Sequence, residues 1–127
     1  MRTTKYFLTA LMTLGLVAGL GVFRAAEKAE PKYDIGEIME KAHKGKPSLL
    51  KQVAEGKASE AQKKQLVEYY EELAKNKPEK GTEADWKKRT GALVKAAKGV
   101  ADGKAGATAA LGKAANCKAC HQAHKGD

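Results

Sequence analysis

The stretch "TEADWKKRTGALVKAAKGV", residues 82–100, decides the fold class of this chain. Apolar and small side chains recur in it at alternating spacings of four and three residues, which is the pattern of a seam in a helical bundle. The seam consists of Trp86, Thr90, Leu93, Ala97 and Val100. Thr82 followed by Asp85 predicts the start of the helix, and the glycines of "ADGKAG", residues 101–106, predict its end. One amphipathic helix with a buried face is therefore expected here.

A helix near the start of the mature chain is predicted from Asp34, a residue suited to the N-cap position. Its apolar face is formed by Ile35, Ile38, Met39 and Ala42. The same phase continues through Leu49, Leu50 and Val53, but Gly45 and Pro47 interrupt it. Proline inside a helix clashes with the carbonyl four residues earlier, so we expect a kink or a break at this point.

Two further helices complete the predicted architecture. Ser59 with Gln62 forms a capping box that opens a helix closing before Pro78. The last helix is predicted to run without a break from about residue 107 to residue 124. Its inner side carries Leu111, Ala114, Cys117, Cys120 and His121. No stretch alternates with strand period, so the chain is expected to be all-α, an up-down-up-down four-helix bundle whose first and last helices are antiparallel.

The N-terminal stretch is expected to lie outside this fold. Arg2 and Lys5 precede a nearly unbroken apolar run, so residues 1–26 are predicted to be a signal peptide or an N-terminal membrane anchor. The positive-inside tendency predicts that the chain after this segment lies outside the cytoplasmic membrane, in the periplasm. Residues 27–127 are long enough for one small domain, so a single periplasmic domain is expected. The net charge of +9 comes from lysines spread along the chain without aromatic interleaving, which does not favour nucleic-acid binding.

The two cysteines of the chain, Cys117 and Cys120, are followed directly by His121 in the motif "CKACH". On a helix these three residues fall on one face. Cys-x-x-Cys-His is the attachment signature of c-type haem, in which the thiols add to the two vinyl groups and the imidazole reaches the iron. The motif therefore predicts one covalent haem c as the cofactor.

Two other kinds of chemistry use the same residue types. Thioredoxin-like dithiols also have Cys-x-x-Cys, but near a βαβ pattern and at a helix N-terminus, whereas the motif is predicted here to lie late in a long helix. A zinc site is the other alternative, with Cys117, Cys120 and His124 on one face and a distant fourth ligand such as His43. Both remain open at this point.

An exported four-helix chain with a single "CKACH" in its last helix resembles the class II cytochromes c, the bundle-type family of cytochromes c prime and their low-spin relatives. The resemblance covers roughly residues 34–125. It implies haem near one end of the bundle, His121 as proximal ligand and, because "DIGEIMEKA" at residues 34–42 is similar to the family's first-helix site, Met39 as the sixth ligand. Lys125 matches the family's basic residue four positions after the haem histidine.

An argument from the residues also favours Met39. If the first and last helices are antiparallel neighbours, Met39 and His121 each lie about 7 Å from the same end of the bundle, at about 1.5 Å per residue. His43 shares the face but lies one turn deeper and is the rival ligand. An ordinary packed core methionine is the structural alternative.

The sixth ligand separates two functions. Iron bound by both His121 and Met39 carries single electrons and binds gases poorly, which makes electron transfer the expected function. A vacant sixth position would instead make the chain a nitric oxide- or carbon monoxide-binding protein like the high-spin members of the family. No paired carboxylates or activated nucleophile indicate an enzyme.

The expected partners are acidic redox proteins facing the lysines at the haem end, and the sequence leaves open whether two copies pair. These lysines are Lys41, Lys44, Lys46, Lys118 and Lys125.

Overall fold

The computed structural model describes residues 30–126. This part of the chain is mainly helical and contains no β-strand, only an isolated antiparallel bridge between Gly45 and Ser48. The helical class predicted from the sequence is thus observed for these residues. The signal peptide or anchor predicted at residues 1–26 lies outside the described residues. Between residues 30 and 126, no helix combines the length and apolar character needed to cross a membrane.

Helix α1, Ile35–Ile38, begins with a capping box and continues into a π-helical turn, Met39–His43. The side chain of Asp34 accepts a hydrogen bond from the backbone N–H of Glu37 at 2.8 Å, and the Glu37 carboxylate accepts one from the Asp34 N–H at 3.1 Å. The π turn closes where the N–H of Lys44 donates to the Met39 carbonyl, five residues back, at 3.1 Å. The first predicted helix is therefore short, and it ends in a widened turn.

Helix α2, Leu49–Ala54, is separate from α1 because the chain breaks at residues 45–47, as the sequence predicted. Ser48 starts α2 by accepting a hydrogen bond from the Lys51 N–H at 3.2 Å. Proline at position 47 prevents the helix from continuing, and Gly45 takes a left-handed conformation with φ of 110°. The interruption lets the chain turn between two short helices.

The two long helices have the predicted caps. Helix α3, Glu60–Lys75, begins with the reciprocal capping box of Ser59 and Gln62. Helix α4, Glu83–Ala101, begins at Thr82, whose hydroxyl accepts a hydrogen bond from a backbone N–H of the first turn. The seam predicted for α4 is confirmed, since all five of its residues are buried.

The prediction of one unbroken last helix was wrong. The structure has helix α5, Ala107–Ala114, and helix α6, Cys117–His124, with Ala115 and Asn116 between them. The Asn116 side chain accepts a hydrogen bond from the Ala119 N–H at 3.1 Å and so caps α6. Asparagine favours such a cap over a helix interior because its side chain competes for backbone hydrogen bonds. Cys117 is consequently the first residue of α6, so its predicted place late in a helix no longer argues against a dithiol site.

The core lies between α3, α4 and α5. Helix α4 packs along both α3 and α5, α1 contacts α3, and α2 contacts the π turn, α3 and α5. Tyr70, Ile38 and Leu66 are among the largest side chains that are fully removed from solvent. Helix α6 contributes one buried residue, His124, and this histidine positions the cysteine motif relative to the core.

Candidate functional site

The cysteine motif and the first helix border a common cleft, here called the main cleft, of about 450 Å³. Met39, Cys120 and His121 all line it, with Trp86 and His124 also in its wall. Met39 and His121 come from opposite ends of the described chain, and the sequence placed them at the same level. The volume lies within the range of about 300–1,000 Å³ that is usual for ligand and cofactor sites.

A smaller space of about 50 Å³, the side cleft, adjoins the motif. Both cysteines and His121 border it, together with Met39 and His43. Cys117 and Cys120 are free thiols, the first exposed and the second half-buried. Two free thiols and an exposed imidazole on one helical face, beside a cleft of cofactor size, fit a haem attached through thioethers.

Burial, more than any charge, raises the pKa of the Cys120 thiol above its usual 9.0. Arg89 acts in the opposite direction but more weakly. At neutral pH this group is therefore held as a thiol. Among residues 30–126 no strand provides the βαβ setting typical of thioredoxin-like dithiols, so the argument against that alternative rests on the helical fold.

His43 lies next to Met39 and points both of its ring nitrogens at side chains. Nδ1 lies 3.2 Å from the Met39 sulfur Sδ, and Nε2 lies 3.0 Å from the hydroxyl of Tyr70. Burial lowers the pKa of His43 below 6.5, and the nearby charge of His121 lowers it further, so the ring is neutral at pH 7. The sequence named His43 as a rival iron ligand. The structure brings it to the side cleft with both nitrogens engaged.

Sequence reasoning missed the role of Tyr70. The helical spacing of Tyr70 with Leu66 and Leu73 places it on the inner face of α3, but it does not indicate which group the hydroxyl contacts. A buried tyrosine usually finds a hydrogen-bond partner, so the inward position of Tyr70 was the available signal.

His124 fastens the end of α6 to the beginning of α4. It is 4% exposed, its Nδ1 lies 3.0 Å from the Lys80 carbonyl oxygen, and its Nε2 lies 2.8 Å from Oδ2 of Asp85. Arg89 donates to the same carboxylate oxygen at 2.6 Å, and this contact in particular holds the pKa of Asp85 below its usual range. The edge of the Trp86 ring also packs against the imidazole, with 5.2 Å between centroids.

These contacts bear on the zinc alternative, which needed His124 as a ligand. Both nitrogens of its ring already face protein acceptors. The geometry of the described residues thus does not support zinc bound by this set.

The charges around the main cleft are mixed. Lys44 and Lys125 line it, but so do Glu40 and Glu79, and the Lys44 ammonium pairs with Glu40 at 3.0 Å. Lys118 is exposed on α6, next to the first cysteine. The expected basic surface is therefore partly neutralised at the cleft itself.

Trp86 offers a hydrogen-bond donor that a cofactor carrying acceptor oxygens could use. Its Nε1–H is buried and has no hydrogen-bond partner among the described residues, and the residue borders the main cleft. A buried donor without a partner costs about 1–3 kcal/mol, so an acceptor oxygen that reached it would be stabilised.

No family model, curated protein or solved structure matches the chain, so the interpretation of the site depends on its own residues.

Proposed function

We propose that this chain is a periplasmic c-type cytochrome that carries single electrons through one covalently bound haem c. The domain would be of the class II type, a four-helix bundle with haem near one end. The observation that carries the proposal is the main cleft, because Cys120 and His121 from the motif and Met39 from the π turn all border it.

Each of these residues has a distinct role in the proposal. Cys117 and Cys120 hold the macrocycle through thioether bonds and fix its orientation against α6. His121 would supply an imidazole nitrogen to the iron, and Met39 would supply a neutral, soft sulfur. A bound haem contributes the one-electron iron couple. The protein would contribute the ligands and the half-buried environment of Cys120.

Covalent attachment is the first expectation to test. Purified protein should keep its haem through extraction with acidified organic solvent, because thioether bonds survive unfolding whereas axial ligation does not. Mass spectrometry should show the mature chain plus one haem. The double variant Cys117→Ser, Cys120→Ser should release all of its haem in the same extraction. A wild-type mass without a haem increment would overturn the proposal.

An acidic redox partner is the second expectation, because Lys44 and Lys125 line the main cleft and Lys118 is exposed next to the first cysteine. Lys118→Glu should slow electron exchange with an acidic partner and weaken the fall of the rate with rising salt, since surface charges steer encounters over about a Debye length. Lys95→Glu is the matched control, because this lysine is exposed in a groove between α3 and α4 that no residue of the cysteine motif lines. Equal rates for the two variants at low salt would show that these lysines serve solubility alone.

A further inference from the structure

We propose that His43 is a positioning residue for Met39: its Nδ1–H donates a hydrogen bond to the Met39 sulfur, and the Tyr70 hydroxyl fixes the ring in the tautomer that makes this possible. The pair orients the thioether towards the iron and raises the reduction potential. This inference depends on the proposed haem function, because the potential is a property of the bound iron.

The tautomer follows from the chemistry of the three side chains. A thioether sulfur has no proton and can only accept, so a hydrogen bond at the 3.2 Å contact requires the proton on Nδ1. With its proton on Nδ1, the ring can accept at Nε2, and the Tyr70 hydroxyl, 3.0 Å away, can donate to it. Because Tyr70 is 0% exposed, its hydroxyl has no competing contact with bulk water.

The π turn carries both residues of the contact between His43 and Met39. Met39 and His43 are its first and last residues, and the turn closes through the hydrogen bond from the Lys44 N–H to the Met39 carbonyl. Ala42, inside the same turn, is fully buried against the core and fixes its orientation. Such single π turns occur often at functional sites, because the extra residue redirects the neighbouring side chains.

The hydrogen bond has two effects on the proposed iron site. A thioether has two lone pairs, so sulfur can bind iron with one and accept the His43 proton with the other. The proton withdraws electron density from sulfur, which weakens its donation to ferric iron and favours the ferrous state. In addition, both His43 nitrogens are occupied, which keeps this imidazole from replacing Met39 on the metal.

Potentiometry of a set of variants tests the effect on iron. His43→Leu should lower the reduction potential, by up to a tenfold change in the oxidation equilibrium, or about 59 mV for one electron. His43→Asn should recover most of the shift, because its amide nitrogen branches from Cγ as Nδ1 does, whereas His43→Gln should recover little. Tyr70→Phe should shift the potential in the same direction as His43→Leu, but less. Equal potentials in wild type and His43→Leu would overturn the inference.

Ring-labelled nitrogen NMR of the full chain in its reduced state tests the tautomer separately. His43 should show its proton on Nδ1 in the wild type, and a mixture of tautomers in Tyr70→Phe. A proton found on Nε2 in the wild type would overturn the inference while leaving covalent haem intact. A chain that carries no haem would overturn the proposed function and the effect on potential together, and this result is distinguished by the mass of the same sample.

Discussion

Replacing Met39 by alanine is expected to convert a low-spin protein that resists carbon monoxide at neutral pH into a high-spin protein that binds it readily. Alanine offers no ligand atom, and the apolar neighbours Ile35 and Ile38 cannot replace the sulfur. The free energy of unfolding should also fall by about 2 kcal/mol or more, the usual loss for truncating a packed methionine. Optical spectra with and without carbon monoxide, and a denaturant titration, measure the two effects.

Met39→Leu separates ligation from packing. Leucine nearly conserves the volume, so the loss of stability from packing should stay below about 1.5 kcal/mol while the spectral change remains complete. A wild type that already binds carbon monoxide avidly, or a Met39→Ala spectrum identical to that of the wild type, would contradict the role of Met39. The chain would then be a gas-binding protein with an open sixth position. A spectrum altered only by His43→Ala would instead assign the ligand to His43.

Gly81→Ala is expected to detach the end of α6 from the rest of the protein. Gly81 has φ of 86°, and a Cβ added there would lie 2.6 Å from the Ala123 carbonyl oxygen and 2.7 Å from Nδ1 of His124. A left-handed residue other than glycine costs about 1–2 kcal/mol, and losing the hydrogen bonds of His124 costs about 1 kcal/mol each. The free energy of unfolding should fall by roughly 3 kcal/mol or more.

Gly103→Ala is the matched control for this substitution. Gly103 is also left-handed, with φ of 70°, but an added Cβ would meet no atom within 4 Å. The free energy of unfolding should therefore fall only by the cost of the left-handed conformation, about 1–2 kcal/mol. Denaturant titrations compare the two variants, and the haem spectrum should change only in Gly81→Ala, since His124 lies in the wall of the main cleft. Equal losses of stability in Gly81→Ala and Gly103→Ala would show that the close approach of Gly81 to His124 does not contribute to stability.

The helix boundaries that depend on local chemistry could be predicted from the sequence. Asp34, Ser59 and Thr82 each cap the helix that was expected to follow them, because a side-chain oxygen satisfies a free N–H within three residues. The break at Pro47 was equally local. The seam of α4 followed from spacing alone, since a buried face on a long helix has one period.

The break between α5 and α6 could have been predicted but was not. The alanines from position 107 onward favour a continuous helix, whereas Asn116 favours a cap, and the capping hydrogen bond prevailed over a propensity worth only tenths of a kcal/mol per residue. The π turn at residues 39–43 had no comparable signal. Its geometry depends on the packing of the turn against other helices, which a local pattern does not encode.

The site was predicted in part for the same reason. The spacing of Cys117, Cys120 and His121 predicted that they share one face of a helix. The position of Met39 along the first helix predicted that it lies level with His121, and both residues border the main cleft. The contact of His124 with Asp85 spans 39 residues, and that of His43 with Tyr70 spans 27. Contacts of this kind depend on how whole helices pack, so neither pair was predictable from periodicity.

The attachment of α6 through His124 also has a consequence for the order of folding. Its hydrogen bond to the Lys80 carbonyl joins residues 44 apart, whereas α3 and α4 pair across a short connection. The entropy lost in closing a loop grows with its length, so α3 and α4 should pair first and α6 should dock late. The thiols of Cys117 and Cys120 would thus remain accessible on an otherwise formed core, which is the state in which a maturation reaction could reach both of them.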